Sequence, residues 1–133
     1  MRPIPAALAA GLLAASVSSH APAVAQFGGA TEQRVALSSF DFTPHELHLR
    51  AGRPTTLVLT NVASGGHDFS APEFFAAARV EAGDAALIDD GEIEVPGKST
   101  RTVHLVPAAG SYRLTCTHTL HAAFGMKGTI VVE

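Results

Sequence analysis

Short runs of alternating apolar and polar residues recur along the chain from residue 34 onward, each cut off by proline or glycine. Val35-Ala36-Leu37 predicts a first strand, and Phe40-Asp41-Phe42 extends it with the same period of two until Pro44 interrupts. Glu46-Leu47-His48-Leu49-Arg50 places its leucines on one face, as a half-buried strand does. After the Ala51-Gly52 turn, Thr55 to Thr60 is rich in β-formers, and Gly65-Gly66 leads into a short extended piece, His67 to Ser70. Strand character returns at Glu92 to Val95, Thr100 to Val106, Tyr112 to Cys116 and Gly128 to Glu133, with Pro96-Gly97-Lys98 and Pro107 to Gly110 as turns.

The middle of the chain departs from this period. Pro72-Glu73-Phe74-Phe75-Ala76-Ala77-Ala78-Arg79 begins with a proline suited to a first helical turn and continues into alanines, which predicts one short helical insertion. Ala82 to Gly91 is acidic and glycine-punctuated, as a loop is. About seven to eight short strands with regular turns predict an all-β fold, an antiparallel Greek-key β-sandwich or barrel, over residues 34–133. Phe69, Phe74 and Phe75 read as core residues and Tyr112 as a core or corner tyrosine.

The first 25 residues follow a different logic. Arg2 precedes an apolar run from Ala6 to Val17, and Ala23-Val24-Ala25 supplies small residues at a cleavage position, the layout of a secretory signal. The run is shorter than the roughly 20 residues that a membrane helix needs. Residues 26–33 then form a flexible lead-in to a single domain. This predicts an exported protein, periplasmic and not inserted in the membrane. With Arg2 removed, eight Lys and Arg stand against twelve Asp and Glu, a mild acidity that argues against nucleic acid or an anionic membrane as partner.

Cysteine usage sharpens the picture. Cys116 is the one cysteine, so no internal disulfide forms, and an unpaired thiol in an oxidising compartment calls for a bridge, a reactive role or a metal. The sequence around it, Cys116-Thr117-His118-Thr119-Leu120-His121-Ala122-Ala123-Phe124-Gly125-Met126, spaces a thiol, an imidazole and a thioether as Cys-x4-His-x4-Met. That spacing suits one loop folded around a metal between two strands, and this mixture of soft donors selects copper. A second imidazole has to come from elsewhere. His67, after Gly65-Gly66 beyond the Leu57-Val58-Leu59 strand, is the candidate.

On these residues the chain resembles the cupredoxins, the family of plastocyanin, azurin and pseudoazurin. The resemblance runs through Phe42-x-Pro44, the Ala51-Gly52 turn, a strand ending in Asn61, His67, Val95-Pro96-Gly97, Gly110-Ser111-Tyr112-Arg113-Leu114-Thr115-Cys116, and Gly125-Met126-Lys127-Gly128. It implies one copper with His67, Cys116 and His121 as equatorial ligands and Met126 as axial ligand. His121 takes that role because the family places its second histidine five residues before the methionine. The interval from Cys116 to His121 is longer than in plastocyanin, and the smallest members lack the Pro72 to Gly91 insertion. His118 matches no family ligand: it reads as a loop histidine, solvated or bonded to backbone, or else as a supporting group or an extra ligand.

The resemblance implies a one-electron carrier that docks transiently with a redox partner, and not an enzyme. The alternative is a copper-binding, delivery or resistance protein using the same site, with a metal-accepting protein as partner. A thiol nucleophile at Cys116 with His118 or His121 as base lacks an obvious orienting carboxylate in the sequence, and the paired His-x-His motifs of a multicopper oxidase are absent. His45, His48 and His104 fall at turn or outward positions and read as surface histidines. Nothing in the pattern calls for more than a monomer.

Overall fold

The computed structural model describes residues 27–133, so the expected signal segment 1–25 lies outside the described residues. Ten strands and one helix follow in order: β1 (Thr31–Ser38), β2 (Asp41–Thr43), β3 (Glu46–Leu49), β4 (Thr55–Asn61), β5 (His67–Ser70), α1 (Pro72–Ala77), β6 (Arg79–Val80), β7 (Glu92–Val95), β8 (Thr100–Val106), β9 (Gly110–Thr115) and β10 (Lys127–Val132). They build two five-stranded sheets, ordered β2-β1-β4-β8-β6 and β3-β10-β9-β5-β7. The predicted all-β sandwich is therefore the fold. Its strand count among the described residues exceeds the expected seven or eight because β2 and β6, three and two residues long, add short edges.

The period of two does most of the sorting. In β3, Leu47 and Leu49 are buried while His48 faces solvent against Glu46. In β8, Val103 and Leu105 point inward, and in β10 Ile130 and Val132 do the same. Together with Leu37, Phe42, Leu57, Leu59, Phe69 and Leu114 they fill the space between the sheets. Phe74 and Phe75 of α1 close one side, with Phe74 edge-on to Tyr112 at 5.5 Å between ring centres. The Tyr112 hydroxyl donates to the Ala108 and Ala109 carbonyls at 2.9 and 3.1 Å, so it holds the corner before β9 as expected.

Four details differ from the sequence expectation. The chain turns at Ser39-Phe40, where Phe40 has φ of 65°, so β1 and β2 form a hairpin and not one continuous strand. The pairing is not wholly antiparallel: β1 runs parallel to β4 and β10 parallel to β3. This follows because β3 crosses to the second sheet and β4 returns to the first, which reverses the usual hairpin sense without a helical crossover. β1 starts at Thr31, inside the segment 26–33 expected to be lead-in, because its first residues pair with Thr55 and its neighbours on β4. Finally, the acidic loop before β7 contains a single 3-10 turn at Ala85–Leu87.

β5 breaks the hydrophobic pattern most sharply. Its residues His67, Asp68, Phe69 and Ser70 are all buried although three of them are polar. Buried polar groups need partners, and such violations concentrate where function is placed. The loop leading into β5 is built around Asn61, whose amide donates to the Gly65 carbonyl at 2.8 Å and the Val95 carbonyl at 2.9 Å. Its carbonyl oxygen accepts from the Ala63 N–H at 2.9 Å. Opposite, Gly97 approaches so closely that a Cβ there would lie 2.0 Å from the Ser64 carbonyl oxygen. Asn61→Ala should lower stability by about 2–3 kcal/mol in urea denaturation, because it strands buried carbonyls. An unchanged midpoint would show that the loop stands without that side chain.

Candidate metal centre

Three side chains from two distant parts of the chain meet at one pole of the sandwich. His67 opens β5, Cys116 follows the last residue of β9, and His121 lies in the loop between β9 and β10. His67 and His121 turn their Nδ1 atoms toward each other at 3.1 Å, and these lie 3.8 and 3.3 Å from the Cys116 sulfur. Cys116 is 1% exposed and Met126 is fully buried. The Cys116 N–H donates to the Met126 carbonyl at 3.2 Å and the Met126 N–H to the His121 carbonyl at 3.0 Å, so the loop closes on itself beneath the imidazole.

That geometry fits a metal ion. Two imidazole nitrogens about 2.0 Å and one thiolate about 2.3 Å from a first-row ion, arranged trigonally, have edges of roughly 3.5–3.7 Å, which the observed separations straddle. A buried methionine adjoining them completes a donor set that favours copper over harder ions. No buried side-chain nitrogen or oxygen among the described residues lacks a hydrogen-bond partner.

The surroundings explain why the donors stay in place. Asp68, 2% exposed, accepts the Thr117 N–H at 2.8 Å on Oδ1 and the Thr117 hydroxyl on Oδ2. This ties the residue after His67 to the residue after Cys116. Burial lowers the pKa of His67, with further lowering from His121 and His118. Burial pushes the Cys116 thiol up, and the backbone N–H groups of Asp68 and His118 offset this only in part. A metal ion must therefore displace the thiol proton on binding.

The residues the sequence singled out all converge here, His118 included. Its Nε2 lies 2.9 Å from Glu94 Oε2, and its ring stacks on that of His121 at 5.4 Å with 21° between planes. It is therefore a half-buried histidine bonded to a carboxylate, and not a freely solvated one. Sequence reasoning missed Asp68, Glu94 and Phe40. Phe40 packs edge-on to His121 at 5.2 Å and touches Phe124 at the same distance. Only its falling at the turn of a hairpin brings it there, and the unbroken alternation concealed that turn. The orienting carboxylate for a thiol-histidine pair does exist as Glu94, but it serves His118, whereas the nitrogens nearest the buried sulfur belong to His67 and His121.

A two-sheet sandwich with two imidazoles, one thiol and a buried methionine at one pole defines a mononuclear metal protein of the cupredoxin class. The chain belongs to the copper binding proteins of the plastocyanin/azurin family, whose pattern matches residues 30–133, and it binds copper. Among solved structures it is similar to dithionite-reduced auracyanin from the photosynthetic bacterium Roseiflexus castenholzii, with 19% identity, a TM-score of 0.57, and coverage of 80% of this chain and 99% of that one. Auracyanin B is similar at 22% identity and TM-score 0.56, covering 88% of this chain and 94% of that one. A stretch of the McoA multicopper oxidase from Aquifex aeolicus matches at 14% identity and TM-score 0.61, covering 80% of this chain but 30% of the oxidase. No curated protein sequence gives a significant match.

The lowered pKa of His67 has a consequence for stability. The unfolded chain takes up a proton near the ordinary histidine value of about 6.5, whereas the folded protein resists it, so stability is complete above that value and falls as pH drops below it. Urea titrations of metal-free protein between neutral and mildly acidic pH should show this slope, and His67→Gln should flatten it. Equal slopes in the two proteins would assign the acid sensitivity elsewhere.

Proposed function

We propose that the chain is an exported, periplasmic one-electron carrier in which His67, Cys116 and His121 hold one copper equatorially and Met126 axially. The observation that carries this reading is the closure of the donor set. All four donors come from the protein, Cys116 and Met126 buried and the two imidazoles on the wall of a cleft, and together they supply the full donor set of an electron-transfer copper site. Copper in such a set supplies a one-electron couple between Cu(I) and Cu(II) with little reorganisation. Export rests on the sequence of residues 1–25. The existence of a dithionite-reduced structure for a similar auracyanin supports redox work for this fold. Among the described residues no helix is long and apolar enough to cross a membrane.

The chain's own residues would do three things. Asp68 and Thr117 keep His67 and Cys116 at a fixed separation through changes of charge. Backbone N–H groups of Asp68 and His118 stabilise negative charge on the sulfur, which sets the potential. The half-buried His121 ring carries the electron outward between exposed Phe40, Leu120 and Phe124, 41%, 62% and 64% accessible. Such an apolar rim suits a small, short-lived docking interface with a redox protein.

One observation favours the second reading, a protein that binds and delivers copper to a metal-accepting partner. A cleft of about 320 Å³, lined by Ser39, Phe40, Gly66, His67, His118 and His121 among others, opens onto the donor imidazoles. The two readings separate on reversible voltammetry against rapid release of Cu(I) to a chelating partner.

In a copper titration of the mature protein an intense sulfur-to-copper visible band should grow to its full height at one equivalent. Cys116→Ser should abolish that band, and His118→Ala should leave it largely intact. Met126→Leu should keep the colour and shift the reduction potential, because it removes only the weak axial donor. A wild type that takes up no copper, or a Cys116→Ser protein with the same spectrum, would overturn the assignment.

A further inference from the structure

His118 has a carboxylate partner and a metal-binding neighbour, and the electron-carrier reading uses neither. Its Nε2 lies 2.9 Å from Glu94 Oε2, and a ligating atom from each of Asp68, Glu94 and His118 falls within 4.8 Å of the others. In the sheet register Asp68 stands directly opposite Glu94 across β5 and β7. The group sits beside the copper donors and not at a remote surface: the His118 ring centre is 5.4 Å from that of His121 and 6.2 Å from that of His67.

Two further observations make this more than an ion pair. The three imidazoles of His67, His118 and His121 line one solvent-open cleft, the approach to a sulfur that is otherwise buried. Gly66, at the mouth of that cleft, leaves room for the pair: a Cβ there would lie 2.8 Å from Glu94 Oε1 and 3.3 Å from His118 Cε1. The 2.9 Å separation is also chemically informative. A first-row ion about 2.0–2.1 Å from both atoms would see them at roughly 90°, the angle of a square or octahedral site and not of a trigonal one. Imidazole with two carboxylates, and no sulfur, suits divalent ions such as Cu(II) or Zn(II) and disfavours Cu(I).

We propose that His118, on the wall of the cleft, with Glu94 and the buried Asp68 behind it, forms an outer station for a divalent metal ion, through which copper passes to the buried donors. The ion takes the place of the hydrogen bond between His118 and Glu94 and is handed from His118 to the adjacent ring of His121. The displaced His118 N–H proton and the Cys116 thiol proton leave to solvent as the metal–ligand bonds form, and no electron moves. The inference rests on the copper assignment made above for His67, Cys116, His121 and Met126, with His118 outside that set.

Two measurements test it. Mature protein already carrying one Cu(I), which is diamagnetic, is titrated with Zn(II), followed by calorimetry and by the ring resonances of the histidines. One zinc should bind with the His118 signals moving, and Glu94→Gln or His118→Phe should weaken it about 10–100-fold. In stopped-flow mixing with Cu(II), the same variants should develop the visible band at least about tenfold more slowly, in proportion to that lost affinity, yet reach the same final intensity. Retention of the final band shows that the variants fold. Copper-loaded wild type that binds no zinc, zinc that moves His104 beside Glu81 and Asp84 instead of His118, or unchanged uptake rates would each overturn the station. Failure of the copper assignment is distinguishable: the band would then be missing from wild type, while the His118 resonances would still report zinc.

Discussion

A single buried carboxylate governs the metal pole. Asp68 receives both the N–H and the hydroxyl of Thr117, joining β5 to the segment that leaves β9. Forty-nine residues separate these partners along the chain, so neither strand alone could set the distance between His67 and Cys116. A charged group can remain in such a place only when hydrogen bonds replace the water it has lost. Asp68 thus converts the general packing of two sheets into a specific spacing of two donors.

The remaining donors are organised by a different principle. His121 and Met126 belong to a loop whose turns bond to themselves: the His121 N–H to the His118 carbonyl at 3.0 Å, and the Phe124 N–H to the Leu120 carbonyl at 3.0 Å. Leu120 holds a left-handed conformation with φ of 66°, a backbone state costly for a leucine, and it is largely exposed. Strain of that kind persists only where the neighbouring structure dictates it. Here the β9–β10 hairpin anchors both ends of the loop, with Lys127 paired to Thr115. Rigid strands fix one half of the site, and a locally closed turn fixes the other.

Much of this was legible in the sequence. The alternation in β3, β8 and β10 is a direct image of which side chains reach the core, because one face of each is solvated. The Cys-His-Met spacing was legible for a similar reason, being confined to one loop. The hairpin at Phe40 was not, since its residues keep the strand period through the turn. The parallel pairings of β1 with β4 and β10 with β3 were hidden as well, because strand direction follows from chain crossings that leave no mark on local periodicity. Asp68 and Glu94 escaped notice because acidic residues on a strand read as solvated until the strand beside them is known. His118 was visible as an anomaly, and Glu94 explains it.

The almost complete burial of Cys116 bears on durability as well as on coordination. In the oxidising compartment proposed for this chain a thiol is ordinarily captured by small disulfides or by another protein's cysteine, or advanced to sulfenic and sulfinic acids. Those reactions require the sulfur to meet its attacker, and here the His67 and His121 rings stand between the sulfur and the open cleft. The fold therefore acts as chemical armour for the residue it can least replace. The rate of damage is scaled down by the small fraction of time this pole stands open, a property of the folded chain.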